Sequence, residues 1–247
     1  MRRSKAQGGL FYGSIGFDDR LYLYQSLLPG RPLSTILWGL SADQRAASAV
    51  PVFSALKDLW GLPRPGYVGG FNRRGRGALG GFSEPPLPPG EVERRGTPSQ
   101  YPIDMWWPTM SDFYDYVRQN YLRKGGDPAH WDTEVEPGLD RDAEPVFVHC
   151  DIAARNLLFD DDLRLTGIID FNPVGWYPLE VQWLLLCDEL DNCREQGRVE
   201  ETFLEALVAA VADRLTSSAR HAATFWWRGL NGSRLPPAYK RGTMGEA

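Results

Sequence analysis

The sequence predicts an α+β protein, mostly α, in which packed helices carry a small β-hairpin. Two observations lead there. Apolar residues recur at helical spacing in several stretches, two of them opened by Ser41-x-x-Gln44 and Thr109-x-x-Asp112, which are capping-box patterns. Separately, two short apolar runs at residues 156–159 and 165–169 flank the acidic stretch Asp160-Asp161-Asp162. That is the pattern of two antiparallel strands and their turn.

Taken in order, residues 1–20 carry little pattern. Gly13-Ser14-Ile15-Gly16 has the wrong spacing for a phosphate-binding loop and reads as a frayed terminus or a turn. Leu21-Tyr22-Leu23-Tyr24 reads as a strand ended by the turn Pro29-Gly30. The helix from Ser41 places Val52, Leu56 and Leu59 on one face, with Pro51 as a point of kinking or division and Gly61-Leu62-Pro63 as its stop. Glycine and proline dominate residues 64–108, and Arg73, Arg74, Arg76, Arg94 and Arg95 lie among them. Such a segment buries too little apolar surface to offset its ordering entropy, so it predicts a long, partly mobile connection.

The helix after Thr109 carries Phe113, Tyr116, Val117 and Tyr121 and stops at Gly125-Gly126. A polar connection containing His130 leads to Val146-Phe147-Val148, a short buried strand, and after the hairpin residues 171–178 read as a proline-bounded loop. Helices follow through Val181, Leu184, Leu185 and Leu186, through Phe203, Leu204, Leu207, Val208, Val211 and Leu215, and through residues 222–230. Asp188, Glu189 and Asp191 read as a solvated helix face. Trp176, Trp226 and Trp227 read as aromatic core. No internal repeat is visible.

Composition narrows the functional classes. The 247 residues allow a sizeable core, and 43% hydrophobic with 24% charged residues is ordinary for a globular chain. A net charge of −5 gives no electrostatic case for nucleic acid or an anionic membrane. Three cysteines without metal spacing, and an N-terminus without the apolar run of a signal peptide, predict a cytoplasmic protein. No apolar run is long enough to cross a bilayer.

Chemistry concentrates in His149-x-Asp151-x-x-x-x-Asn156 and in Asp170 beyond the second strand. A hairpin sets the start of its first strand beside the end of its second, so Asn156 and Asp170 should meet. A carboxylate and an amide oxygen together form a hard-oxygen site suited to Mg²⁺. Asp151, on the loop just before, is placed to accept a proton from a substrate hydroxyl. This is the spacing of a kinase catalytic loop followed by a metal-binding aspartate. Singly, each residue has a plain structural explanation: a turn aspartate, a hydrogen-bonded core histidine, two strand ends. Jointly, in this hairpin, they point to kinase-like ancestry.

HCDIAARN followed by GIIDFNPVGWYP resembles the aminoglycoside phosphotransferase family, in particular its fungal branch, within the protein-kinase-like superfamily. Gly175-Trp176-Tyr177-Pro178 matches the family pattern as it stands, and YLYQSLLPGRPLS is similar to the family's hinge and linker. The resemblance is specific across residues 145–190 and looser across 20–62. It implies a protein-kinase-like C-terminal lobe with a small catalytic hairpin and a truncated N-terminal lobe. Residues 1–20 would be a remnant, and 21–247 one domain with an irregular segment at 64–108.

The resemblance also implies an ATP- and Mg²⁺-dependent phosphotransferase acting on a hydroxyl of a small molecule. Asp151 would be the base and Asn156 and Asp170 the metal ligands. His149 would be structural, and the backbone at Gln25, Ser26 and Leu27 would meet adenine. Family members clamp phosphate with a lobe before the hinge, whereas 20 residues precede Leu21 here, with Lys5 their single lysine. Asn172 stands where many members have an acidic residue. The alternative expectation is a non-catalytic, kinase-derived binding domain or a truncated gene product.

Overall fold

The computed structural model describes residues 11–17, 20–25, 27–64, 66–70, 106–171 and 174–231. Strands β1 (Phe11–Phe17) and β2 (Arg20–Gln25) form a two-stranded antiparallel sheet. The strand expected at residue 21 is present, and the turn expected before it is instead a second strand, β1. Its Gly13 and Gly16 lower strand propensity in isolation, and pairing with β2 overrides that preference.

A short strand β3 (Arg31–Pro32) leads through one turn of helix, α1 (Leu33–Ile36), into a 3-10 turn. Helix α2 (Ala42–Ala47) starts at Ser41 with the full capping box: the Gln44 amide donates to the Ser41 hydroxyl, and the Gln44 side chain accepts from the Ser41 amide. Helix α3 (Ala49–Trp60) follows after a break at Ser48. Pro51 explains the division, because its ring excludes the carbonyl of residue i−4, Ala47, from a continuous helix. Val52 and Leu56 are fully buried.

Two strands come from the ends of the glycine- and proline-rich segment, β4 (Val68–Gly70) and β5 (Trp106–Trp107). They correct the expectation of an irregular connection over all of 64–108. Arg73, Arg74, Arg76, Arg94 and Arg95 lie outside the described residues. Helix α4 (Met110–Arg123) is capped by Thr109 and Asp112 as expected. Residues expected to be a polar connection instead form α5 (Pro128–His130), a π-turn at Trp131–Val135 and a 3-10 turn at Glu136–Gly138. Trp131 and Val135, one helical turn apart, are fully buried.

Strands β6 (Val146–His149), β7 (Leu157–Phe159), β8 (Leu165–Ile168) and β9 (Val174–Tyr177) complete the sheets. The order is β3-β7-β8 in one and β5-β4-β9-β6 in the other. β9 corrects the loop expected at 171–178. All four of its residues are buried, so it shows none of the polar alternation by which a half-exposed strand is read.

Helices α6 (Leu179–Glu195), α7 (Glu201–Ala212) and α8 (Ser217–Asn231) close the structure. α6 packs against α7, α8 and β6. With Val181, Trp183, Leu184, Leu186 and Leu190 all buried, it is held by packing rather than by a side-chain cap, of which it has none. One contiguous core runs from Leu33 through Phe113, Leu157 and Leu184 to Phe203 and Trp226. Trp226 and Trp227 are core residues, as expected.

Gly30 joins β2 to the hairpin. Its φ of +103° lies where a side chain is strained, and a Cβ there would sit 2.8 Å from the Phe159 carbonyl oxygen. Gly66, at φ +73°, has open space around it. Gly30→Ala should therefore destabilise the protein by ~2–4 kcal/mol, and Gly66→Ala by only ~1 kcal/mol, measured by chemical unfolding. Equal losses would contradict the close approach at Gly30.

Candidate active site

β6 delivers His149 into the core, where it is fully buried. Gln182 on α6, also fully buried, grips the backbone of His149 on both sides. Its Oε1 accepts from the His149 amide at 3.2 Å, and its Nε2 donates to the His149 carbonyl at 3.2 Å. The imidazole then ties two loops together. Nδ1 accepts from the Asp151 amide at 3.2 Å, so the ring proton belongs on Nε2, which lies 3.2 Å from the Ile169 carbonyl oxygen and donates to it. Burial holds the His149 pKa below the usual histidine value, opposed by the Ile169 carbonyl and the charges of Asp151 and Asp170. A neutral ring is the form this geometry requires, because a protonated Nδ1 would face the Asp151 N–H.

Beyond His149 the chain turns through Asp151 into a 3-10 turn at Ala154–Asn156 and then into β7. Asn156 is 5% exposed. Its Nδ2 donates to the Asp151 carbonyl at 3.0 Å and to Asp151 Oδ2 at 2.8 Å. Both amide protons are thereby committed, and Oδ1 keeps its lone pairs. Arg155 Nη2 lies 2.7 Å from each Asp151 carboxylate oxygen.

The β7–β8 register sets Leu157 opposite Ile168, and the Ile169 amide donates to the Asn156 carbonyl at 2.9 Å. Asp170 is the next residue, at φ +61°. That left-handed conformation costs a non-glycine residue about 1–2 kcal/mol. The Ile169 backbone just before Asp170 is bonded through its N–H to Asn156 and through its C=O to His149. The Asp170 side chain is exposed and makes no hydrogen bond or ion pair with the described residues. The turn between the strands is closed by Asp160, whose Oδ1 accepts from the Asp162 and Arg164 amides at 3.0 and 2.8 Å.

The expected metal pair, Asn156 and Asp170, is thus brought to one end of the hairpin, with Asp151 bonded to Asn156. Among the described residues no group of three or more His, Cys, Asp or Glu side chains is placed to hold a metal. The donors present are one amide oxygen and one carboxylate. That set suits a hard cation which keeps water or phosphate oxygens, as Mg²⁺ does. Asn172 and Ser26 lie outside the described residues. Gln25 ends β2, and Leu27 is 97% exposed.

A cavity of about 430 Å³ opens beside Asp151, lined also by Arg155, Gln182, Leu185, Asp188 and Asn192. Cys150 borders it, and burial pushes its thiol up to about 12, so it is an inert wall rather than a nucleophile. Asp188 corrects the expectation of a solvated acidic face. Burial raises its pKa to about 6, opposed by a hydrogen bond from Trp227 Nε1 at 3.0 Å. Glu189 pairs with Arg198 at 3.0 Å, and Asp191 is 8% exposed. Of the residues not anticipated, Arg155 had a readable signal, standing four places after Asp151. Gln182 had none, because its partner is a backbone distant in sequence.

A family profile described as the phosphotransferase enzyme family matches residues 8–226. The chain belongs to that family, and its mostly helical body with a small β-hairpin is the α+β, mostly α, architecture expected from the sequence. Similar solved structures include an ADP-bound aminoglycoside phosphotransferase, APH(2'')-Ib, at 15% identity over 90% of this chain and 66% of that one, with a TM-score of 0.43. An aminoglycoside-3'-phosphotransferase of type VIII is 18% identical over 91% of this chain and 74% of that one, with a TM-score of 0.44. The apo form of a thermostable mutant of APH(4)-Ia is 13% identical, covering 94% and 79%, with a TM-score of 0.43. This chain thus spans 66% of the length of the first of these. No curated protein matches the sequence. Among the described residues, no helix is long and apolar enough to cross a membrane.

Asp188→Asn retains an oxygen for Trp227 and removes a half-buried charge. With a folded pKa of about 6 above the ordinary ~3.9, the folded state binds this proton more tightly than the unfolded state. The carboxyl therefore costs stability as pH rises through that interval, and the cost is full above it. The variant should be more stable than the wild type at neutral pH, by on the order of 1 kcal/mol, with the gain vanishing below pH of about 4. Thermal unfolding across pH measures this, and a pH-independent difference would contradict it.

Proposed function

We propose that this protein transfers the γ-phosphoryl group of ATP to a hydroxyl of a small molecule, with Mg²⁺ held by Asn156 and Asp170. The observation that carries this reading is the Ile169 peptide, bonded at once to Asn156 and to His149. It joins the base, the amide ligand and the carboxylate ligand into one unit beside a cavity. Family membership supports it.

In this reading Asp151 orients the acceptor hydroxyl and takes its proton, contributing about 10²–10⁴ in rate. Asn156 fixes the Asp151 carboxylate through Nδ2 and offers Oδ1 to the metal. Asp170 offers its exposed carboxylate from the same hairpin end. His149 and Gln182 hold the loop without touching substrate. The bound metal supplies charge neutralisation for the phosphates. The backbone at Gln25, Ser26 and Leu27, between β2 and β3, is assigned to adenine. Leu185 and Asp188 line the acceptor side of the cavity.

Titrating ATP into the full chain with and without Mg²⁺, and following thermal stability, tests this directly, since a ligand that binds only the folded state must raise it. Stabilisation should require Mg²⁺. Asp170→Asn should abolish the Mg²⁺ dependence, whereas Asp151→Asn should keep nucleotide binding and lose at least ~100-fold in turnover. Absence of any Mg²⁺-dependent shift at millimolar ATP would leave a kinase-derived binding domain as the reading that survives.

A further inference from the structure

We infer that Arg155 is a positioning residue that occupies Asp151 until an acceptor hydroxyl displaces it, and so shields bound ATP from attack by water. This rests on the phosphotransferase reading above.

Asp151 has two partners of different character. Asn156 is buried and holds the Asp151 carbonyl as well as Oδ2, which makes it a permanent orienting group. Arg155 has a side chain 55% exposed, lies on the cavity wall, and sets one nitrogen 2.7 Å from both oxygens. With both partners in place, three hydrogen bonds already fall on the carboxylate's roughly four lone-pair sites, two of them from Arg155 on the cavity side. A general base must aim a lone pair at the hydrogen it removes, and a guanidinium, which only donates, cannot take that proton instead. Arg155 therefore stands where a hydroxyl must approach.

The strength of the contact suits displacement. An ion pair this exposed favours the closed arrangement by a factor of only about 5 at most. An acceptor held by the cavity walls can outcompete it, and a lone water has no such help.

The reaction suppressed is hydrolysis. A bond forms from a water oxygen to the γ-phosphorus, and the bond from that phosphorus to the bridging oxygen breaks. ADP leaves with the electron pair, while Asp151 accepts one water proton and later returns it to solvent. The products are ADP and inorganic phosphate.

The test is phosphate release from Mg²⁺·ATP by the full chain without any acceptor. Arg155→Ala should raise hydrolysis about two- to fivefold, the inverse of the closed-state bias. Arg155→Lys, which still pairs with Asp151, should restore suppression, and Arg155→Ala combined with Asp151→Asn should return hydrolysis to or below the wild-type level. A gain in rate cannot come from misfolding, and Arg155→Gln gives the same comparison if the alanine variant loses its thermal transition. Unchanged or reduced hydrolysis in Arg155→Ala that still binds Mg²⁺·ATP overturns the role of Arg155 alone. A rise that persists without Asp151 also overturns it. Failure of the wild type to bind Mg²⁺·ATP overturns the phosphotransferase reading, and this inference with it.

Discussion

A neutral imidazole in the core joins the two halves of the site. His149 accepts the Asp151 amide on one nitrogen and donates to the Ile169 carbonyl from the other. Among the described residues, no other buried side chain is hydrogen-bonded to both. Water cannot substitute, because His149 is fully buried, and leaving its partners unsatisfied would cost about 1–3 kcal/mol each. Asp170, at φ +61°, follows directly on the Ile169 backbone, which is bonded through both its N–H and its C=O. Gln182 extends the same constraint to α6, so the loop is fastened to the helix that packs against α7 and α8.

Charges around that lock are arranged by exposure. Asp151 is half-buried and shares its carboxylate between an amide and an exposed guanidinium, so its fixed partner is neutral and its charged partner is replaceable. Asp170 stays exposed, where an unpaired carboxylate costs little. Asp188 is the costly one, since it is half-buried against Trp227 with its pKa raised. A protein that tolerates such a group beside a cavity gives up stability at neutral pH, a common arrangement where residues serve binding rather than packing.

The hairpin and its loop were legible from the chain because their signals are local. Two apolar runs around an acidic turn specify a hairpin, and its pairing sets Asn156 beside Ile169, the residue before Asp170. The capping boxes at Ser41 and Thr109 were legible for the same reason. β9 was missed because a strand buried on both faces between prolines lacks alternation, β4 because its glycines take strand form only by pairing with β9, and β5 because its two residues are a strand only by pairing with β4. Trp131 and Val135 were hidden by the acidic residues around them. Asp188 was misread because charge in a helix suggests solvent, and only the packing of α8 shows otherwise. Gln182 sits in an apolar run and gains its meaning from a strand 33 residues away.

As proposed above, the hairpin end holds a nucleotide's metal between Asn156 and Asp170. Paramagnetic broadening of backbone amide signals by Mn²⁺ with ATP reports distance from the metal directly. The amides at Asn156, Ile169 and Asp170 should broaden first, and those of α7 should be untouched. Broadening centred elsewhere, or none at these residues while ATP is bound, would contradict it.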